Sequence, residues 1–204
     1  MKEVVITKKT DDITFEMIQT ILTKAHASNK EKGLLYATAS QTVDKLKSKI
    51  GENDTCFVAL VDGQLAATVT VSFRGLNYWY HNGNVAIIKL LGVDPEFKGM
   101  HISSKLIEAC LAEAEKRGEK IVVADSAEHN EILKNLVLGY GFLTTDYGLY
   151  AANNFYTNVY VKWLDGCPYS NIYRKFRYNL KRLYIRTIYK PGKIKRFSFH
   201  SKTN

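Results

Sequence analysis

The sequence predicts an α/β fold, an α+β mixed sheet with helices on its faces, followed by a basic helical extension at the C-terminus. Three observations carry this reading. Runs of β-branched residues alternate with segments of helical periodicity along most of the chain. Two β-rich runs, "TCFVALV" and "QLAATVTVSF", meet at Asp62-Gly63, a dipeptide suited to a two-residue hairpin because both positions tolerate positive φ. The apolar run "NVAIIKLLGVDP" suits a strand buried on both faces, and the helical segment separating it from the strand at 119–124 implies parallel pairing through a crossover.

Each element follows from local pattern. "KEVVITKK" is a first strand, and "DDITFEMIQTILTKAHASNKEKG" carries Ile13, Met17, Ile18, Ile21, Leu22 and Ala25 at helical spacing and ends at Gly33. A second, shorter helix spans "SQTVDKLKSKIGEN", with Val43, Leu46 and Ile50 on one side. After the hairpin comes "RGLNYWYHNG", read as an aromatic loop, and then the central strand, which Pro95 ends. The helix over 102–117 turns Leu106, Ile107, Cys110, Leu111 and Ala114 inward, with Gly118 placed for a left-handed C-cap. "EKIVVAD", "HNEILKNLVLG" and "YTNVYVKWL" add a strand, a helix and a last strand, giving the order β, α, α, β, β, β, α, β, α, β.

Composition bounds what such a fold can do. The chain has 204 residues, 46% of them hydrophobic, with no run approaching the roughly 20 apolar residues of a membrane span and no secretory leader, which implies a cytoplasmic protein. Cys56, Cys110 and Cys167 are scattered, odd in number and without CxxC spacing, so neither a disulfide framework nor a metal site is indicated. The net charge of +9 is unevenly spread: residues 166–204 hold 11 Lys or Arg and no acid, leaving 18 basic against 20 acidic residues in 1–165. The division implied is a near-neutral domain over 1–165 and a basic amphipathic extension over 166–204, so the overall charge is no argument for nucleic-acid binding by the main domain.

The segment from Val93 to Leu106, "VDPEFKGMHISSKL", places a polar loop between a strand end and a helix start, where free backbone amides and the helix dipole favour an anion. By itself it also reads as an ordinary strand-to-helix turn. In context, Val93-x-Pro95 followed by Lys98-Gly99-Met100-His101-Ile102-Ser103 resembles the acetyl-CoA loop of the GNAT superfamily of N-acetyltransferases, and Asn130, twelve residues before Phe142 in "NEILKNLVLGYGF", is similar to that family's second signature. The resemblance covers roughly residues 1–163 and includes the element order. It implies an acetyl-CoA N-acyltransferase-like fold in which the amides of Lys98, Gly99, Met100, His101, Ile102 and Ser103 hold the pyrophosphate of acetyl-CoA. Main-chain groups near Leu91 and Val93 would pair with the pantetheine arm, and Asn130 would help to hold it. Lys98 also reads as a solvated lysine, and Asn130 as a simple helix cap.

Two departures from the family pattern bear on chemistry. His101 and Ser103 stand where the family loop has small residues; Ser103 can donate to a phosphate, while His101 either points outward or lies against the cofactor. The family's frequent acid, a Tyr five residues before the Gly-Phe phenylalanine, is replaced by Val137, with Tyr140 a weaker candidate nearby. Candidate bases are Asp125 at a strand end, His129 at a helix start and His81 in the aromatic segment, each of which also reads as a turn, cap or loop residue. Tyr78, Trp79 and Tyr80 either wall an acceptor pocket or cover the sheet edge.

After Cys167-Pro168, a helix capped by Ser170 runs towards Pro191-Gly192. Ile172, Tyr173, Phe176, Leu180, Leu183, Tyr184 and Ile188 fall on one side of it, and Arg174, Lys175, Lys181, Arg182 and Arg186 on the other. Such a helix packs on the domain and exposes its charged face, lies against an anionic membrane, or binds another polyanion; of the functional options, peripheral contact through 170–190 with the anionic inner face of a membrane is favoured. The sequence therefore points to an acetyl-CoA-dependent N-acetyltransferase acting on the primary amine of a small molecule, for which an amino sugar is suggested. The competing reading is a non-catalytic acetyltransferase-like module tethered by its tail.

Overall fold

The computed structural model describes residues 2–36, 38, 41–150 and 153–188. The chain divides into two compact units, Met1–Phe73 with Ile87–Gly118, and Arg74–Ala86 with Glu119–Asn204. The elements are β1 (Val4–Lys8), α1 (Phe15–Glu31), α2 (Val43–Lys49), β2 (Thr55–Val61), β3 (Gln64–Tyr78), β4 (His81–Val93), a 3-10 turn (Pro95–Phe97), α3 (Ile102–Lys116), β5 (Ile121–Ala127), α4 (Glu131–Gly139), β6 (Leu143–Leu149), β7 (Tyr156–Trp163) and α5 (Asn171–Ile188). This is the mixed α/β arrangement expected.

In the first unit β2 lies between β1 and β3, antiparallel to both, with Val4 opposite Val61 and Thr55 opposite Val71. The hairpin forms where expected: Asp62 and Gly63 have φ of 49° and 82°, and Val61 pairs with Gln64 across them. Almost every residue of β2 is buried, in keeping with its apolar run from Cys56 to Val61. Ile18 and Leu22 of α1 and Leu46 of α2 pack with Cys56, Val58 and Leu90 in one cluster. A Cβ on Gly92 would stand 3.0 Å from Leu22 and 3.2 Å from Ala25, so glycine there lets α1 lie close against β4. On α3, Leu106, Ile107, Cys110 and Ala114 are buried as the periodicity implies, and Gly118 (φ 73°) follows its end. Glu113 is buried on the same helix and satisfied there by Lys8 at 3.0 Å, Arg117 at 3.0 Å and the Thr55 hydroxyl at 3.1 Å.

In the second unit β7 is the middle strand, antiparallel to β5 on one side (Ala124 opposite Tyr160) and to β6 on the other (Leu143 opposite Val161). Two expectations are corrected here. Residues 143–149 form a strand that the sequence order omitted: "LTTDYGL" lacks alternation and contains strand-disfavoured Asp146 and Gly148, but β7 supplies the ladder and α5 covers the polar side chains. The aromatic segment is strand rather than loop, with β3 reaching Tyr78 and β4 starting at His81. Its rings hold it in place: Tyr78 stacks on Tyr80 with centroids 5.1 Å apart, Tyr80 meets Trp163 edge-on at 6.0 Å, and Trp79 meets Tyr169 at 5.1 Å.

The C-terminal helix forms as expected, from Asn171 to Ile188 with Ser170 bonded to the Tyr173 amide at 3.2 Å, but its orientation reverses the expectation of a packed apolar side. The cationic side is the one that packs. Lys181 pairs with buried Asp146 at 2.7 Å, Arg182 with Glu128 at 2.7 Å, and Arg186 with Glu128 and, at 3.0 Å, with the Tyr147 hydroxyl. Tyr178 donates to Asn158 at 2.8 Å, and Arg174 is buried with its guanidinium on Asn171 at 3.0 Å. The reversal follows from β6 and its neighbours, which present acids and a phenol rather than an apolar face.

Candidate active site

One group of site residues lies in the first unit, where β4 gives way to α3. Asp94 caps the 3-10 turn by accepting from the Glu96 amide at 3.1 Å, and its second oxygen takes Lys24 of α1 at 2.7 Å. Burial works to raise its pKa, but Lys24 and the amide outweigh burial and hold it below the usual carboxylate range. The residue that ends the strand is thus a charged anchor for the loop that follows.

Within that loop Gly99 has φ 82° with open space around its Cβ position, and His101 has φ 54°, a left-handed conformation costly for a residue with a side chain. His101 occupies the N-cap position of α3, makes no side-chain cap bond and is exposed. The first intrahelical bond runs from the Lys105 amide to the His101 carbonyl at 3.2 Å, so the amides of Ile102, Ser103 and Ser104 have no partner within the helix. The first turn carries no acid. Free amides, a positive dipole end, exposed Lys98 and the absence of a competing carboxylate fit a diphosphate. Leu91 and Val93 are half-buried on β4 beside Leu90, whose φ of 56° breaks the regular strand and re-aims the main chain just before them.

A second group lies in the other unit. Asp125 of β5 accepts a hydrogen bond from the Tyr150 hydroxyl, and the charge of Arg74 and the ring of Tyr78 act on the same place. The Asp125 side chain reaches solvent, yet protein crowds it on most sides; that loss of hydration raises its pKa despite the Tyr150 bond and Arg74. Burial, then the Asp125 charge, pushes the Tyr150 phenol well above its ordinary value. A wetted carboxylate with a raised pKa beside a phenol that stays protonated is an arrangement able to accept and hold a proton.

The other sequence candidates are placed as follows. Asn130 caps α4, its Oδ1 accepting from the Leu133 amide at 3.1 Å. Val137 is wholly buried on that helix. Tyr140 closes it, and its carbonyl accepts from Lys162 at 2.8 Å. His81 opens β4 with its ring nitrogen 3.0 Å from the Asn84 carbonyl, and exposed His129 lies edge-on to Phe155 at 5.7 Å. Sequence reasoning missed Tyr150 and Arg74, which no spacing links to Asp125, and the left-handed Leu90, which nothing in an apolar run announces.

A model of the acetyltransferase (GNAT) family matches residues 16–142. Among solved structures, the ribosomal-protein-S18-alanine N-acetyltransferase of Escherichia coli superposes with a TM-score of 0.62 at 17% identity, covering 79% of this chain and 94% of its own. The yncA protein of Salmonella typhimurium with its cofactor acetyl-CoA gives 0.63 at 15%, covering 81% and 96%, and Arabidopsis thaliana NAA60 in complex with acetyl-CoA gives 0.63 at 14%, covering 80% and 100%. At these identities the likeness is one of fold. No curated protein matches the chain by sequence.

Proposed function

Because the chain belongs to the GNAT acetyltransferase family, with acetyl-CoA as co-substrate, we propose that it acetylates the primary amine of a small molecule and that Asp125 receives the proton the amine must lose. The raised pKa of a solvent-reaching Asp125, bonded to Tyr150, carries this reading. Its negative charge attracts an ammonium group, and a carboxylate shifted upward is a better proton acceptor than an ordinary one. Amino sugars, which pair an amine with hydroxyls that tyrosines can bond, are the acceptor class we favour.

Acetyl-CoA supplies the activated acyl group. The amides from Lys98 to Ser103 bind its diphosphate, main-chain groups near Leu91 and Val93 align its amide-bearing arm, and Asn130 supports that arm from the start of α4. Asp125 orients the amine through its charge and takes its proton as the new amide bond forms. Tyr150 holds the carboxylate in place. With Val137 at the position of the family's frequent tyrosine, protonation of the departing thiolate falls to Tyr140 or to solvent, and the reaction depends chiefly on positioning.

Calorimetry with acetyl-CoA, followed by turnover of an amine panel containing amino sugars, tests the reading. Binding with turnover of a small amine supports it. Binding without turnover favours the tethered, non-catalytic module, and absence of binding defeats the enzyme reading.

A further inference from the structure

We propose that the outer face of α5 is a membrane-docking surface for anionic lipid, on which the helix lies in the plane of the interface. Ile172, Tyr173, Phe176, Leu180, Leu183 and Tyr184 form a stripe directed away from the packed line of Arg174, Tyr178, Arg182 and Ile185. The middle of the stripe is exposed: Ile172 is 83% exposed, and Phe176 and Leu183 are 63% exposed, while Tyr173 at its edge meets the Trp79 ring at 5.8 Å. Thirteen residues from Ile172 to Tyr184 at helical rise make it about 20 Å long. A continuous apolar stripe of this kind marks an interaction surface rather than scattered surface residues.

Charge selects the occupant. Lys175 lies to one side of the stripe and Arg177 to the other; both are exposed, and the Arg177 guanidinium also rests over the Trp79 ring at 4.6 Å. Lys181, Arg182 and Arg186 are occupied by Asp146 and Glu128, so the ion pairs that pin the helix to its own unit do not involve Lys175. Residues 189–204 add five Lys or Arg and no acid. A second copy of this chain would oppose cation to cation along the stripe. An anionic bilayer offers apolar depth for the stripe and negative headgroups for its flanks, with Tyr173 and Tyr184 suited to the boundary. No helix among the described residues is long and apolar enough to cross a membrane, which agrees with a helix lying on the surface. The docking mode is the reverse of the one a charged outer face would use: apolar groups enter the lipid while most helix cations hold the protein.

The full chain is mixed with phosphatidylcholine vesicles with and without about one-third phosphatidylserine, and binding is read by co-sedimentation. We expect binding to the anionic vesicles, weakened by added salt, and a drop of about a hundredfold in partitioning for the triple variant F176S/L180S/L183S. These side chains are already exposed, so the variant folds, and its unchanged melting temperature and unchanged acetyl-CoA affinity show this. Equal vesicle binding by the variant, no binding by the parent chain, or a parent dimer in solution that the triple variant abolishes would each overturn the proposal. None of these results touches the proposed acceptor chemistry, which is measured without lipid.

Discussion

Lys181 and Asp146 lie 2.7 Å apart between α5 and β6, the lysine half in solvent and the carboxylate buried. The pair ties the basic helix to the sheet by charge, where its sequence pattern suggested apolar packing. Removing the lysine leaves a buried carboxylate without its cation. Lys181→Ala is expected to lower unfolding stability by about 2 kcal/mol, below the 3–5 kcal/mol of a fully buried pair because the lysine is partly hydrated. Lys175→Ala, on an exposed flank of the same helix, is expected to change stability by less than about 0.5 kcal/mol. Urea denaturation of both variants checks the contrast.

Glu128 gives the same interface a pH dependence. Burial works to raise its pKa, but the Tyr147 hydroxyl, Arg182 and Arg186 outweigh it and hold the group below its ordinary value. A depressed folded pKa adds stability that is fully present above the unfolded value of about 4.3 and is lost as the pH falls through the folded one. Stability measured from pH 6 down to pH 3 should fall in the acid range, and Glu128→Gln should be less stable at pH 6 with a shallower decline.

The proposed base predicts a specific pH–rate signature. Asp125 must be ionised to take a proton, so the rate rises with pH through its pKa, which burial shifts upward from that of an ordinary aspartate. The Tyr150 bond lowers that pKa against the effect of burial, so Tyr150→Phe is expected to move the acid limb to higher pH. Asp125→Asn is expected to cost roughly 10²- to 10⁴-fold in kcat/KM with acetyl-CoA affinity unchanged. A pH–rate profile that Tyr150→Phe leaves in place would separate Tyr150 from the reaction.

The left-handed His101 tests the loop. A β-branched residue tolerates that conformation less well, so His101→Val is expected to cost about 1–2 kcal/mol and to weaken acetyl-CoA binding by about tenfold as the helix start shifts. His101→Gly relieves the conformation while adding freedom to the unfolded chain, and is expected to be nearly neutral in both measurements. Parallel melting and calorimetry on the two variants provide the comparison.

Local pattern was enough for the Asp62-Gly63 hairpin, the amphipathic α3 with its glycine stop, the Asn130 cap and the polar loop that leads into α3, because each depends on residues within one or two turns of one another. The same holds for the existence of α5 and the sidedness of its residues. What the tertiary structure alone decided were relations between distant segments. β6 is a strand because β7 offers it a ladder, against its own weak propensity. The aromatic segment is strand because Trp163 and Tyr169 lie against its rings. Asp125 meets Tyr150 and Arg74 only through folding, and its raised pKa comes from that crowding. The outward turn of the apolar face of α5 was likewise beyond local pattern: periodicity divides a helix into two faces, but which face packs depends on the surface it meets, and here that surface is made of Glu128, Asp146 and Tyr147.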